Sequence, residues 1–179
     1  MARNSKLLEM LTGYAAAHRH PLNIGIHLVC IPAIMLGALI ALSWVSLEIR
    51  SVTLNLAWLL VGAFFLFYLT LDLLFASVFL VAAAVLTFVA MRLGELEFAA
   101  SATIAAALFV GGYIAQFIGH AIERSPPVLL KHPIQAQLAA PFFTIVELFQ
   151  LLGLRDELFS EVERRLAARA AEQSSTTPT

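Results

Sequence analysis

The chain has 179 residues, of which 60% are hydrophobic and only 13% are charged, and its net charge is −1. Soluble domains carry roughly 25% charged residues, so this composition favours lipid as the solvent and gives no indication of a nucleic-acid partner. The single cysteine, Cys30, cannot form an intrachain disulfide. We expect an all-α, multi-pass membrane helical bundle with about four transmembrane helices, plus amphipathic or re-entrant helices at its N- and C-terminal ends.

The N-terminal segment is predicted to be a short amphipathic helix. Residues 4–17 carry leucines at helical spacing, and Asn4 or Ser5 is expected to cap the helix. The segment is too short and too polar to cross a bilayer, so we expect it at the membrane interface. Pro21 then favours the start of the next helix, because proline suits a first-turn position.

Two long apolar stretches follow. Residues 22–47 are sufficient for a first crossing, which Pro32 is expected to kink. Residues 52–91 are sufficient for two crossings, and the division is predicted near residues 70–72. A charge at the bilayer centre costs about 2.5–3.5 kcal/mol on insertion scales, so we expect Asp72 at a tight hairpin rather than facing the bundle interior.

The C-terminal half contains a fourth span and two further helical segments. Residues 98–122 are free of charge and are predicted to cross the membrane. Residues 133–152 contain two prolines, three glutamines and Glu147, which favours a broken, re-entrant or interfacial segment over a simple crossing. Residues 154–172 are predicted to form an amphipathic helix in which Glu161 and Arg165 pair at i,i+4.

The chain is predicted to form one domain over residues 1–172, followed by a disordered tail over residues 173–179. With four crossings, the N-terminus and the region after residue 122 lie on one side. That side carries Arg3, Lys6, Arg19, Arg124, Lys131 and Arg155, against Arg50 and Arg92 on the other. The positive-inside rule therefore predicts that both termini are cytoplasmic. The alanine- and arginine-rich composition favours a bacterial source, and hence the inner membrane.

Two polar clusters stand out against these apolar spans. The first consists of His18, His20 and His27 with Asn23, at the start of the first span. The second consists of Gln116, His120 and Glu123 at i, i+4 and i+7, at the end of the fourth span. We expect the clusters to meet and to hold a metal ion, because neutral imidazoles with a carboxylate suit Fe(II). Interhelical hydrogen bonding by the same histidines is the structural alternative.

Several assignments stay open from the residues alone. His132 is a further candidate ligand in a loop, and Glu123 is either an inward-facing ligand or a solvated helix end. Glu147 is read as a proton handler, a substrate-orienting group or an interfacial charge. Two other classes of protein also fit: a haem-binding membrane electron-transfer protein with paired histidines, and a non-catalytic membrane scaffold or transporter subunit.

The pattern Tyr14, His18, Pro21, Asn23, His27, Pro32 resembles the H-x-N-P-x-N-x-x-x-H signature of the 2-hydroxy fatty acid dioxygenases. The later stretch Gln116-Phe117-Ile118-Gly119-His120, with Glu123, Pro127 and Ala140-Pro141-Phe142-Phe143, resembles the second motif block of that family. The resemblance covers roughly residues 8–155. Two positions depart from it: His20 stands where the family usually has asparagine, and Glu123 follows His120 by three residues instead of four.

This resemblance implies an Fe(II)-dependent α-oxidation, in which a 2-hydroxy fatty acid and O₂ give a fatty acid one carbon shorter with loss of CO₂. It implies His18, His27 and His120 as iron ligands, with His132 as a further candidate. It also implies Asn23 and Gln116 as orienting residues, and Glu123 is kept as a catalytic candidate. The partners would be the fatty acid, O₂ and membrane lipid, and a homo-oligomer is left open. In a eukaryote the endoplasmic reticulum would be the location.

Overall fold

The computed structural model describes residues 2–17, 20–50, 52–130 and 133–176. In this part of the chain it consists almost entirely of helices, which confirms the all-α prediction. The elements are α1 (Ala2–Ala17), α2 (Pro21–Ser43), β1 (Ser46–Ile49), β2 (Val52–Asn55), α3 (Leu56–Leu69), α4 (Leu73–Gly94), α5 (Phe98–Glu123), a 3₁₀ turn (Val128–Leu130), α6 (Pro133–Leu151) and α7 (Asp156–Thr176).

Helices α2 and α5 pack closely together in an antiparallel arrangement. Glycines make this approach possible: a Cβ atom at Gly37 would lie 2.7 Å from the carbonyl oxygen of Ala105, and one at Gly112 would lie 2.5 Å from Cγ1 of Ile34. Small residues at helix interfaces allow such close backbone contact in membrane bundles. The pairing places the start of α2 beside the end of α5.

The first apolar helix ends earlier than the sequence predicts. It stops at Ser43, and the following residues form an antiparallel hairpin in which Ser46 pairs with Asn55 and Ile49 pairs with Val52. The prediction of one helix over residues 22–47 is therefore wrong at its C-terminal end. Asn55 stabilises the alternative, because its Nδ2 donates to the carbonyl of Ser43 at 2.8 Å while its Oδ1 accepts from the backbone N of Ala57 at 2.9 Å.

The predicted division near residues 70–72 is confirmed. Asp72 precedes α4 as its N-cap and accepts a hydrogen bond from the backbone N of Phe75 at 3.0 Å. The predicted second crossing, however, is short: α3 has 14 residues, or roughly 21 Å, against a hydrocarbon core of about 30 Å. Within the described residues, the helices long and apolar enough to cross a membrane are α2, α4, α5 and α6.

Helix α6 is continuous through Pro141. Of the broken, re-entrant and interfacial segments expected for residues 133–152, the broken one is therefore wrong. Its contacts nevertheless keep it at one end of the bundle. Near its start, the hydroxyl of Tyr68 donates to the carbonyl of Leu138 at 2.8 Å; near its end, the ring of Phe149 lies 5.0 Å from that of Phe75. Tyr68 and Phe75 each lie within four residues of Asp72, which is at the turn between α3 and α4. Helix α6 therefore packs against the turn between α3 and α4.

The terminal helices cover the same end of the bundle. In α1, Leu7 and Leu11 are buried at 3% exposure, which agrees with the predicted amphipathic face. The helix already begins at Ala2, so the predicted N-caps at Asn4 and Ser5 are wrong. The ring of Tyr14 stacks on Phe143 of α6, with centroids 3.9 Å apart. Helix α1 is thereby fixed over α6.

Helix α7 packs against α1. The predicted pair within it is confirmed, because Nε of Arg165 donates to Oε1 of Glu161 at 3.0 Å. The helix runs to Thr176, four residues past the predicted domain end at 172. Residues 177–179 of the predicted disordered tail lie outside the described residues.

Candidate metal and substrate site

The fold brings His27 of α2 and His120 of α5 into direct contact. Their ring centroids are 5.0 Å apart and their planes are perpendicular. Both side chains are buried, each with 7% exposure. The antiparallel packing of α2 and α5 produces this histidine pair, because His27 follows the start of α2 by two turns and His120 precedes the end of α5 by one.

The orientation of the His27 ring is fixed from within its own helix. Its Nδ1 donates to the backbone carbonyl of Asn23, one turn earlier, at 2.9 Å. Metal-binding histidines typically donate one ring N–H to a carbonyl or carboxylate, which fixes the tautomer and leaves Nε2 as the coordinating atom. The environment of His27 therefore fits that of a metal ligand.

Asn23 and Glu123 join the two helices beside the histidine pair. The side chain of Asn23 is completely buried, and its Nδ2 donates to Oε2 of Glu123. The other carboxylate oxygen accepts from the backbone N of His20 at 3.1 Å. Because α2 starts here, its dipole also favours a negative charge at this position. Within the described residues, Oδ1 of Asn23 has no hydrogen-bond partner.

His20 has a local structural role. It is the N-cap of α2, and its Nδ1 accepts from the backbone N of Leu22 at 3.3 Å, with Pro21 at the first helical position. Asparagine is among the best N-cap residues, and proline suits the position after it. His20 therefore stabilises the start of α2 as its N-cap.

A cavity of about 790 Å³ adjoins the histidine pair, within the roughly 300–1,000 Å³ that small-molecule sites occupy. It lies between α1, α2, α5 and α6, and its lining is predominantly apolar. The polar lining residues among those described are Glu9, Tyr14, His27, Tyr113, Gln116, His120, Gln135 and Gln137. Neither lysine nor arginine is among these described lining residues.

Tyr14 is the lining residue whose role the sequence did not reveal, although it belongs to the first motif block. Burial raises the pKa of its hydroxyl, and the negative charges of Glu147 and Glu123 raise it further. The hydroxyl therefore stays protonated at neutral pH and can act as a hydrogen-bond donor. The stacking of Tyr14 on Phe143, another lining residue, holds it at the cavity wall.

The structure separates the predicted site residues into groups. His27, His120 and Gln116 line the cavity, whereas Asn23 and Glu123 are not among the described lining residues. His18 and His132 lie outside the described residues. Glu147 is buried at 9% exposure on α6 and likewise is not among those lining residues. No three His, Cys, Asp or Glu side chains in the described ranges are grouped closely enough to hold a metal ion.

Comparison with known proteins adds independent information. The family model described as "Mpo1-like: 2-hydroxy-palmitic acid dioxygenase Mpo1-like" matches residues 5–152. The chain is also 27% identical over 161 residues to a Saccharomyces cerevisiae protein named 2-hydroxy-palmitic acid dioxygenase MPO1, with 89% of each chain covered. No solved structure matches it.

Proposed function

The chain belongs to the Mpo1-like family, and from that premise we propose that it is a membrane-bound dioxygenase of 2-hydroxy fatty acids. In the proposed reaction the acid and O₂ give a fatty acid one carbon shorter, CO₂ and water. The C1–C2 bond breaks, C2 is oxidised to the new carboxyl group, and O₂ is reduced. The observation that carries this proposal is the histidine pair in the wall of an apolar cavity.

Fe(II) is the proposed cofactor, and His27 and His120 would hold it. His18 and His132 are proposed as the further ligands, since two imidazoles alone leave the donor set incomplete. When bound, Fe(II) supplies the redox chemistry that lets O₂ react with the organic substrate. The bond from Nδ1 of His27 to the Asn23 carbonyl supports this assignment, because it orients Nε2 for coordination.

The remaining residues would bind and orient the substrate. The amide of Gln116 and the hydroxyl of Tyr14 are proposed to donate hydrogen bonds to its carboxylate, since both line the cavity. Asn23 and Glu123 are proposed to position His27 through their mutual hydrogen bond, without touching the substrate. The apolar walls would exclude water and accept the acyl chain.

The contact geometry of the histidines counts against the haem alternative. A haem with two axial histidines needs its ring system between the two imidazoles. The rings of His27 and His120 instead meet edge to face, with centroids 5.0 Å apart. This arrangement leaves no space for a macrocycle between them.

The proposed activity can be tested on the full-length protein in detergent or nanodiscs. With Fe(II), O₂ and 2-hydroxypalmitic acid, we expect mass spectrometry to detect the C15 acid, with one O₂ consumed per product. His27→Ala and His120→Ala should each lower turnover on the order of 100-fold or more, since even outer-shell changes cost 10–100-fold. Iron content, measured separately, should fall in both variants.

His20→Asn is the matched control, because it replaces a histidine in the same segment but retains the helix cap. We expect it to keep both iron and turnover. Full turnover in both alanine variants would overturn the assignment of the histidine pair. A wild-type protein without stoichiometric metal or product would favour the scaffold alternative, and a Soret band would favour haem.

The proposal includes a location. The histidine end of the bundle would face the cytoplasm, with both termini on that side, and the membrane would be the inner membrane of a bacterium. The distribution of lysine and arginine supports this orientation. Reporter fusions at each terminus, which are active on only one side of the membrane, would test it.

A further inference from the structure

The cavity follows one groove between α2 and α5. From the histidine pair, its lining continues on α2 through Ile31 to Met35 and on α5 to Tyr113. At a rise of 1.5 Å per residue, Met35 lies about 12 Å from His27 along α2, and Tyr113 about 10 Å from His120 along α5. Because the helices are antiparallel, both residues lie in the same direction from the histidines, deeper in the bundle.

The described lining of the cavity on α2 ends at Met35, two residues before Gly37. At Gly37 the two backbones touch: a Cβ atom there would lie 2.7 Å from the carbonyl oxygen of Ala105 and 2.9 Å from the backbone N of Phe109. A chain entering from the histidine end therefore meets a closed end here.

The sides of this closed end are also fixed. The ring of Tyr113 packs on Phe109, with centroids 5.1 Å apart, and its hydroxyl accepts a hydrogen bond from Nε2 of Gln137 on α6. That bond joins α5 to α6 across the cavity. We call Ile34, Met35 and Tyr113 the floor of the cavity.

We infer that this floor sets the length of acyl chain that the site accepts, an inference that rests on the proposed function. The carboxyl end of a 2-hydroxy fatty acid lies at the histidine pair, and its acyl chain runs along the groove to Met35. Met35 contributes a flexible, unbranched side chain, which can move only as far as the closed groove allows. A single methylene in a hydrophobic pocket changes selectivity by about tenfold or more.

Two substitutions test the floor in opposite directions. Met35→Ala deepens the groove and should raise the affinity for longer acids relative to shorter ones by about tenfold. Ile31→Phe fills the groove above the floor and should shift the preference towards shorter acids. The primary measurement is displacement of a fluorescent fatty acid by saturated fatty acids of graded length, which needs neither iron nor turnover. Product profiles from mixed 2-hydroxy acids provide the second measurement.

Val29 offers matched controls on the same helix, because it is 71% exposed and is not among the described residues that line the cavity. Val29→Ala and Val29→Phe should leave the length preference unchanged. If Met35→Ala folds like the wild type and keeps the wild-type length preference in binding and products, the floor is wrongly assigned, although the dioxygenase proposal stands. If length-dependent binding shifts as expected while no protein converts a 2-hydroxy acid, the floor stands and the proposed reaction fails.

Discussion

Asn23 donates a hydrogen bond from its buried side-chain amide to the carboxylate of Glu123, 100 residues further along the chain. The bond joins the first turn of α2 to the last turn of α5. His27 lies one turn after Asn23, and His120 lies one turn before Glu123. The hydrogen bond therefore fixes the relative positions of the two turns that carry the histidine pair.

Asn23→Ala is expected to lower the stability of the protein by about 1–3 kcal/mol, because it leaves the Glu123 carboxylate without this donor and opens a void. Turnover should also fall, since His27 would lose its fixed position. Thermal unfolding in detergent and kcat/KM measure the two effects. Glu123→Gln keeps an acceptor oxygen opposite Asn23, so it should cost less than Asn23→Ala. Equal effects of the two changes would contradict this account.

Gly119 is expected to tolerate no side chain. A Cβ atom there would collide with Oδ1 of Asn23 and would lie 3.3 Å from Cδ1 of Ile26. Gly119→Ala should therefore separate α2 from α5 at the histidine pair, lowering both the melting temperature and the iron content.

Gly111→Ala is the matched control on the same helix, because a Cβ atom there would meet no neighbouring element of the described chain within 4 Å. Alanine is favoured over glycine in a helix by up to about 1 kcal/mol, so this variant should be as stable as the wild type or slightly more stable. Equal stability of the two variants would show that the contact of Gly119 with Asn23 does not limit the approach of α2 to α5.

The meeting of the two polar clusters could be predicted from the sequence, since helical spacing places Gln116, His120 and Glu123 on one face. The turn at Asp72 was predictable for a similar reason, because an isolated charge in an apolar stretch is costly in lipid. The hairpin after Ser43 could not be predicted from the sequence, because a short run rich in valine, leucine and isoleucine fits a membrane helix equally well.

Non-local packing accounts for the rest. The placement of α6 depends on contacts such as Phe149 with Phe75, which the pattern of a single helix does not reveal. The cavity arises because α1 and α6 close over the groove between α2 and α5, and only this closure places Tyr14 in its wall. Asn23 was predicted as a site residue from its motif, but its hydrogen-bond partner became visible only in the fold.

Arg155→Ala should loosen the end of α6. Its Nη1 lies 2.8 Å from Oδ2 of Asp72, and its guanidinium lies 4.6 Å from the ring centroid of Phe75. Both side chains of the ion pair are largely shielded, at 31% and 16% exposure. We expect a loss of about 1 kcal/mol from the ion pair and the cation–π contact together.

Arg92→Ala is the control for this change, because its ion pair with Glu95 is solvent-exposed, at 81% and 63%. Surface pairs contribute little, so its effect on the melting temperature should be small. A double-mutant cycle between Arg155 and Asp72 would isolate the coupling. No coupling in that cycle would mean that Arg155 acts through its contact with the Phe75 ring and not through the ion pair with Asp72.

Tyr14→Phe removes one hydroxyl from the cavity wall while keeping the ring that stacks on Phe143. If the hydroxyl binds the substrate carboxylate, KM should rise about fivefold, which corresponds to one hydrogen bond of about 1 kcal/mol. Thermal unfolding at neutral pH, measured alongside, shows whether the variant keeps the wild-type fold. An unchanged KM would contradict the proposed hydrogen bond.

The same variant also tests the burial of Tyr14 through pH. Burial, together with the charges of Glu147 and Glu123, raises the pKa of the hydroxyl in the folded protein above its ordinary value of 10.0. A raised pKa in the folded state means that the unfolded chain releases this proton first. The contribution of the Tyr14 hydroxyl to the free energy of unfolding is thus fully present below about pH 10 and is lost as the pH rises above it. Wild type should therefore lose more stability than Tyr14→Phe between neutral pH and pH values above about 10. If the wild type and Tyr14→Phe lose the same stability over this pH range, the Tyr14 hydroxyl is exposed to water and is not buried between α1 and α6.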